Sequence, residues 1–61
     1  MKKYRVRFWY SDQDGREDYM EFGTMEQAQV FYDSLNGMAE IQEWNEKWER
    51  WWMVVPPTFE F

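Results

Sequence analysis

The segment EIQEWNEKWERWWMVV, residues Glu40 to Val55, carries four of the five tryptophans of a 61-residue chain. Whether it forms one helix or two strands decides the fold. Helical spacing is good: Ile41, Trp44, Trp48, Trp51, Trp52 and Val55 fall on one stripe. Glu43–Lys47 and Glu46–Arg50 are also i, i+4 ion pairs in the favourable order. Three arguments oppose a helix. Gly37 is needed to end the preceding helix, and neither it nor Met38 is a strong cap for a new one. A lone two-stranded hairpin is too narrow to cover two helices. The run RWWMVV is aromatic and β-branched, which suits a strand buried on both faces. We therefore read a hairpin, Ala39–Trp44 and Glu49–Val55 joined around Glu46-Lys47, with Glu43 facing Arg50 and Ile41 facing Trp52.

Upstream, Lys3 to Tyr10 alternates as a half-buried strand. Tyr4, Val6, Phe8 and Tyr10 lie on one face, and Arg5, Arg7 and Trp9 on the other. A second strand runs Glu17 to Phe22, and SDQDGR between the two is a turn signal. A three-residue loop, Gln13-Asp14-Gly15, places Gly15 at the left-handed position. It pairs Phe8 with Met20, Val6 with Phe22, Arg7 with Glu21 and Trp9 with Tyr19, whereas one-residue slips set core against charge. GTMEQAQVFYDSLNG reads as a helix. Thr24 caps it with Gln27 at capping-box spacing, and Asn36-Gly37 stops it. Ala28, Phe31, Tyr32 and Leu35 form its apolar stripe with Met25 beside it, while Val30 points to water. The expected fold is α+β: a single domain over residues 1–55, ββαββ, with one antiparallel sheet and one helix on one of its faces. A β-hairpin followed by two helices is the alternative. Pro56-Pro57 end any ladder, so residues 56–61 are expected to form an extended C-terminal tail. Its Phe59 and Phe61 fold back over the core or are left for a partner.

Composition narrows the function. The chain has neither cysteine nor histidine, which removes disulfides, thiolate metal sites, the commonest metal ligand and the usual general base. The first residues, MKKYRVRFWY, hold no apolar run of signal-peptide length, so a cytoplasmic protein without a membrane segment is expected. Net charge is −5 and unevenly spread, because Lys2, Lys3, Arg5 and Arg7 are four of the seven cations. The acidic body disfavours direct nucleic-acid binding, which depends on neutralising phosphates. Arg5, Arg7, Trp9 and Tyr19 share an outer strand face of the kind that stacks on single strands, but Glu17 and Glu21 would neutralise those arginines.

No catalytic residues, cofactor or metal ligands are assigned. Aligning Gly15 with an EF-hand glycine puts Asp12, Asp14 and Glu21 at ligand positions. The first position is then Tyr10 and the flanks are strands, so the stretch reads as an acidic turn. The serines and threonines have no histidine to activate them, and the three glycines are isolated rather than grouped in a phosphate loop. What stands out is five tryptophans, four tyrosines and five phenylalanines in a chain too small to hide them all. They can serve as bulky core filler. The hairpin reading, however, sets Trp52, Ile41 and Val54 in the core and leaves Trp44, Trp51 and Met53 on the opposite face, with Trp9 and Tyr19. Exposed aromatic patches mark interaction sites. The expectation is a non-catalytic protein-interaction module that binds a protein partner or forms a homodimer through Trp9, Tyr19, Trp44, Trp51 and Met53. The alternative is an acidic nucleic-acid mimic that inhibits a DNA- or RNA-acting enzyme, as viral and mobile-element proteins do, through Asp12, Asp14, Glu17, Asp18 and Glu21.

Overall fold

A computed structural model describes residues 3–9 and 16–58. The elements run β1 (Tyr4–Trp9), β2 (Glu17–Phe22), α1 (Met25–Asp33), β3 (Ala39–Asn45) and β4 (Arg50–Val55). They build one antiparallel sheet in the order β2-β1-β3-β4 with the helix on one face. The chain is therefore ββαββ, and residues 40–55 are a hairpin. Asn45 explains how the tight connection forms: its Oδ1 accepts the Trp48 N–H at 2.9 Å. Glu49 then turns the chain back with a left-handed φ of 52°, a common closing geometry for short hairpin loops.

Both hairpins keep the expected faces up to the end of β4, where Val55 rather than Val54 packs against the core, but not the expected pairings. In the first, Val6 lies opposite Met20, Arg7 opposite Tyr19, Phe8 opposite Asp18 and Trp9 opposite Glu17. That is a slip of two residues from the reading above, and a two-residue slip leaves every side chain on its face. The error lay in requiring every helix-side pair to be apolar. Asp18 faces Phe8 yet is exposed, because β2 is an edge strand and a side chain there can lean out to water. The slip also brings Glu17 within reach of Arg7. The anticipated turn at Gln13-Asp14-Gly15 lies outside the described residues.

In the second hairpin Ile41 faces Val55 rather than Trp52, and Glu43 faces Trp52 rather than Arg50, which lies opposite Asn45. The register shifts between Ile41 and Gln42, so β4 carries one extra residue there. Trp52 and Val54, expected in the core, are 40% and 43% exposed. The helix is the reason. It packs over β1, β3 and β2, and no Cα of β4 comes within 8 Å of it.

The core that does form is compact and mostly aliphatic: Val6, Ala28, Ala39, Ile41 and Tyr32 are buried. Ala28 and Ala39 are both fully enclosed, small enough to let the helix settle close to the central strands. Phe31 sits at the centre of an aromatic cluster, 5.3 Å from Phe8 edge-on and 5.6 Å from Phe22. The helix begins as its sequence indicates, with Thr24 Oγ1 accepting the Gln27 N–H at 3.2 Å. It ends before the expected stop, at Asp33 with Ser34 as its cap; Asn36 and Gly37, at φ of 54° and 83°, are instead the central pair of the turn that follows, closed by the Met38 N–H on the Leu35 carbonyl at 3.1 Å. Val30 is exposed, as its place away from the apolar stripe requires. After β4 the chain is tied back to the helix terminus: Tyr32 Oη donates to the Pro56 carbonyl at 2.7 Å, and the Thr58 N–H donates to the Gly37 carbonyl at 3.2 Å. Phe59 and Phe61 lie outside the described residues. Among the described residues, no helix is long and apolar enough to cross a membrane.

Candidate functional site

With the helix on one side, alternation along the four strands assigns the other side. β1 contributes Arg5, Arg7 and Trp9. Their register partners are Glu21, Tyr19 and Glu17 on β2, and Gln42 and Glu40 on β3. Trp44, two residues beyond Gln42, pairs with Trp51, and Met53 lies opposite Gln42. The five residues read from the sequence, Trp9, Tyr19, Trp44, Trp51 and Met53, thus share the open face.

They do not form a bare apolar patch, because two arginines are interleaved among them. The Arg5 guanidinium lies 4.3 Å from the Tyr19 ring centre and 4.4 Å from that of Trp51, so it is stacked between rings from the two edge strands. Its Nε donates to Gln42 Oε1 at 2.5 Å. Trp51 meets Trp44 edge-on at 5.6 Å. Arg7 stands 5.6 Å from the Trp9 ring. Its Nε donates to Glu17 Oε2 at 2.8 Å, and its Nη1 donates to Glu40 Oε1 at 2.6 Å. Gln42 Nε2 closes the chain by donating to Glu40 Oε2 at 3.2 Å. The result is one continuous network, Glu17–Arg7–Glu40–Gln42–Arg5, crossing three strands. It is flanked by rings, each cation–ring contact contributing about 0.5–1 kcal/mol when partly exposed.

Glu40 is the buried anchor of this network. Only 9% of the residue is exposed, on the side of the sheet that no helix covers, because Arg7 and its neighbours lie over it. Hydrogen bonding to Glu17 first and to Glu40 second pushes the Arg7 guanidinium above its ordinary value, against the opposing effect of burial. The cation therefore stays charged at any pH at which the protein is folded. The sequence reading anticipated the aromatic members and Glu17 but missed Glu40 and Gln42. The signal was present in the alternation of AEIQEW, where Glu40, Gln42 and Trp44 share a face, but it needs the β1–β3 pairing to gain meaning.

The acidic set is less coherent. Glu17 is committed to Arg7, Asp18 Oδ1 accepts the Tyr19 N–H at 2.8 Å, and Glu21 is exposed opposite Arg5. Asp12 and Asp14 lie outside the described residues. Among the described residues, no group of three or more carboxylates is placed to hold a metal ion. At the far end of the β3–β4 hairpin, a cavity of about 320 Å³ is lined by Lys3, Glu43, Trp44, Asn45, Glu46 and Lys47. It mixes both signs of charge and does not converge on one reacting atom. No protein-family model, no curated protein and no solved structure matches this chain.

Proposed function

We propose that this chain is a non-catalytic protein-interaction module that presents the open face of its sheet to another protein. One observation carries the reading: not one of the five tryptophans is buried. The core is complete without them, so indole is not filling a small interior. Tryptophan, tyrosine and arginine are the side chains that dominate binding energies at protein interfaces, and here all three are collected on one face. Stacking favours the reading further. Arg5 holds Tyr19 and Trp51 in place before any partner arrives, which lowers the entropy lost on binding.

The expected partner surface has an aliphatic or aromatic centre and a basic rim. The two arginines of the face are already engaged, whereas Glu21 and the net charge of −5 remain to attract cations. The test is Tyr19→Ala/Trp44→Ala, two positions away from the β4 edge. Affinity capture with wild type and variant, followed by titration of the purified partner, should show at least a 30-fold loss of affinity, about 2 kcal/mol for loss of the two anchors. Binding should persist at about 0.5 M salt, where charges are screened within a few ångströms. A partner lost in salt and indifferent to the double change would instead support an acidic mimic acting through Glu17, Asp18 and Glu21.

A further inference from the structure

We propose that β4 pairs antiparallel with β4 of a second copy of this chain, joining two four-stranded sheets into one about a two-fold axis at Trp52. This contact uses the sheet edge and goes beyond the open-face reading, with which it shares Trp51 and Met53.

The sheet has two edges, β2 and β4, and they differ in kind. β2 carries Glu17, Asp18 and Glu21, the sort of charges that keep an edge from pairing. β4 is uncharged after Arg50, and Trp52, Met53 and Val54 are three consecutive apolar residues each at least 40% exposed. Such a run on an edge without charges is a template for another strand, bounded at its far end by the bulge beside Val54 and by Pro56.

The hydrogen-bond phase of that edge follows from β3. The Trp44 N–H donates to the Lys3 carbonyl at 2.8 Å, so the Trp44 main chain faces β1 and not β4. Its partner Trp51 therefore occupies a non-hydrogen-bonded position, where opposed side chains sit close. The 5.6 Å Trp44–Trp51 contact agrees. The Trp51 N–H and C=O consequently point out of the sheet. Met53, opposite Gln42 in the same phase as Trp44, does likewise.

A second β4 laid antiparallel with Trp51 opposite its Met53 engages all of these groups, because each Trp51 exchanges both main-chain bonds with the other copy's Met53. The same register pairs indole with thioether on one face, a favourable sulfur–aromatic contact, and sets the two Trp52 side chains across the axis on the other. Arg50 falls opposite the other copy's Val54, so no like charges meet, and Pro56 ends the paired segment. This self-complementarity identifies the occupant as a second copy. A two-fold pairing also closes the assembly, leaving only the two acidic β2 strands as outer edges. The contact is small, on the order of 1,000 Å² in total, which places the dimer at the weak end of specific interfaces.

The experiment is sedimentation equilibrium on the full chain from about 1 to 500 μM, with circular dichroism to confirm folding. Wild type should dimerise with a micromolar dissociation constant. Trp52→Lys and Trp52→Glu each place like charges across the axis and should weaken the dimer at least 30-fold, and an equimolar mixture of the two should restore it. Should either variant fail to fold, Val54→Lys and Val54→Glu replace them. Opposite Arg50 the first should weaken and the second strengthen association. A wild type that stays monomeric, a dimer insensitive to charge at Trp52 or Val54, or a mixture that fails to recover would overturn the proposal. So would a dimer abolished by Tyr19→Ala/Trp44→Ala but not by Trp52→Lys, which would move the self-contact to the open face.

Discussion

Removing Arg7 should cost far more than removing either carboxylate it binds, and the asymmetry tests the account of the open face. Arg7→Met keeps an unbranched stem over Trp9 but strands Glu40, whose side chain is only 11% exposed, with Gln42 as its remaining donor. Leaving a buried charge unpaired costs about 3–5 kcal/mol. Arg7 is itself one-third exposed, so the lower figure, about 3 kcal/mol, is the expectation once solvent screening is allowed for. Glu40→Ala removes a charge-assisted hydrogen bond but leaves Arg7 with Glu17 and water, for a loss of about 1–2 kcal/mol. Glu17→Ala, at a side chain 42% exposed, should cost under about 1 kcal/mol. The double change Arg7→Met/Glu40→Ala strands no charge and should cost less than the sum of its two singles. Urea unfolding followed by tryptophan emission measures all four. With a slope of about 1 kcal/mol per molar for so small a domain, the midpoints should fall by about 3 M for Arg7→Met and 1–2 M for Glu40→Ala. The shift should be below 1 M for Glu17→Ala. A Glu17→Ala loss equal to that of Arg7→Met, or a double change costing the sum of the singles, would refute the claim that Glu40 anchors the face.

Two further predictions concern the backbone and the tail. Glu49→Gly should raise stability by about 0.5–1 kcal/mol, because it relieves a left-handed φ of 52° worth about 1–2 kcal/mol, less the extra freedom glycine gives the unfolded chain; a thermal midpoint that falls would contradict this. Tyr32→Phe deletes the 2.7 Å bond to the Pro56 carbonyl and should cost about 1 kcal/mol. Amide exchange at both Thr58 and Ile41 should rise about fivefold, with Thr58 exchanging through a local opening well below the global limit that Ile41 reports; equal protection at the two sites would mean the tail is not separately tethered.

How much of this was legible in the sequence depends on which property is asked for. Face assignments survived up to the bulge beside Val54, because strand side chains alternate with period two and both pairing errors were shifts that preserve parity or fall at a bulge. Thr24 and Gln27 marked the start of the helix through local chemistry alone, and that reading holds; Asn36 and Gly37 marked a left-handed turn that lies just beyond the end of the helix. Pairings did not survive, since they depend on what lies beside each strand. Asp18 is tolerated opposite Phe8 only because β2 is an edge, and strand order is not written in any single segment. Trp52 and Val54 were misplaced for a related reason: hydrophobicity shows that a residue avoids water, not which neighbour will cover it. The nine-residue helix ends its coverage before β4. Glu40 and Gln42 were invisible as site residues until β1 was known to lie beside β3.

That β1–β3 seam has a consequence for how the chain folds. Each flanking hairpin is built from near neighbours, yet an isolated hairpin is marginal in water, and a nine-residue helix is too short to persist alone. Only when Tyr4–Phe8 meets Ala39–Glu43 do the buried side chains Val6, Ile41, Ala28 and Tyr32 find one another. Committing the chain therefore requires bringing distant segments together, which slows folding relative to a purely local topology and makes the transition all-or-none. No half of this protein has a reason to hold its shape without the other. Tyr19 and Trp51, which come from separate hairpins, become a single surface only in the molecule that has folded completely.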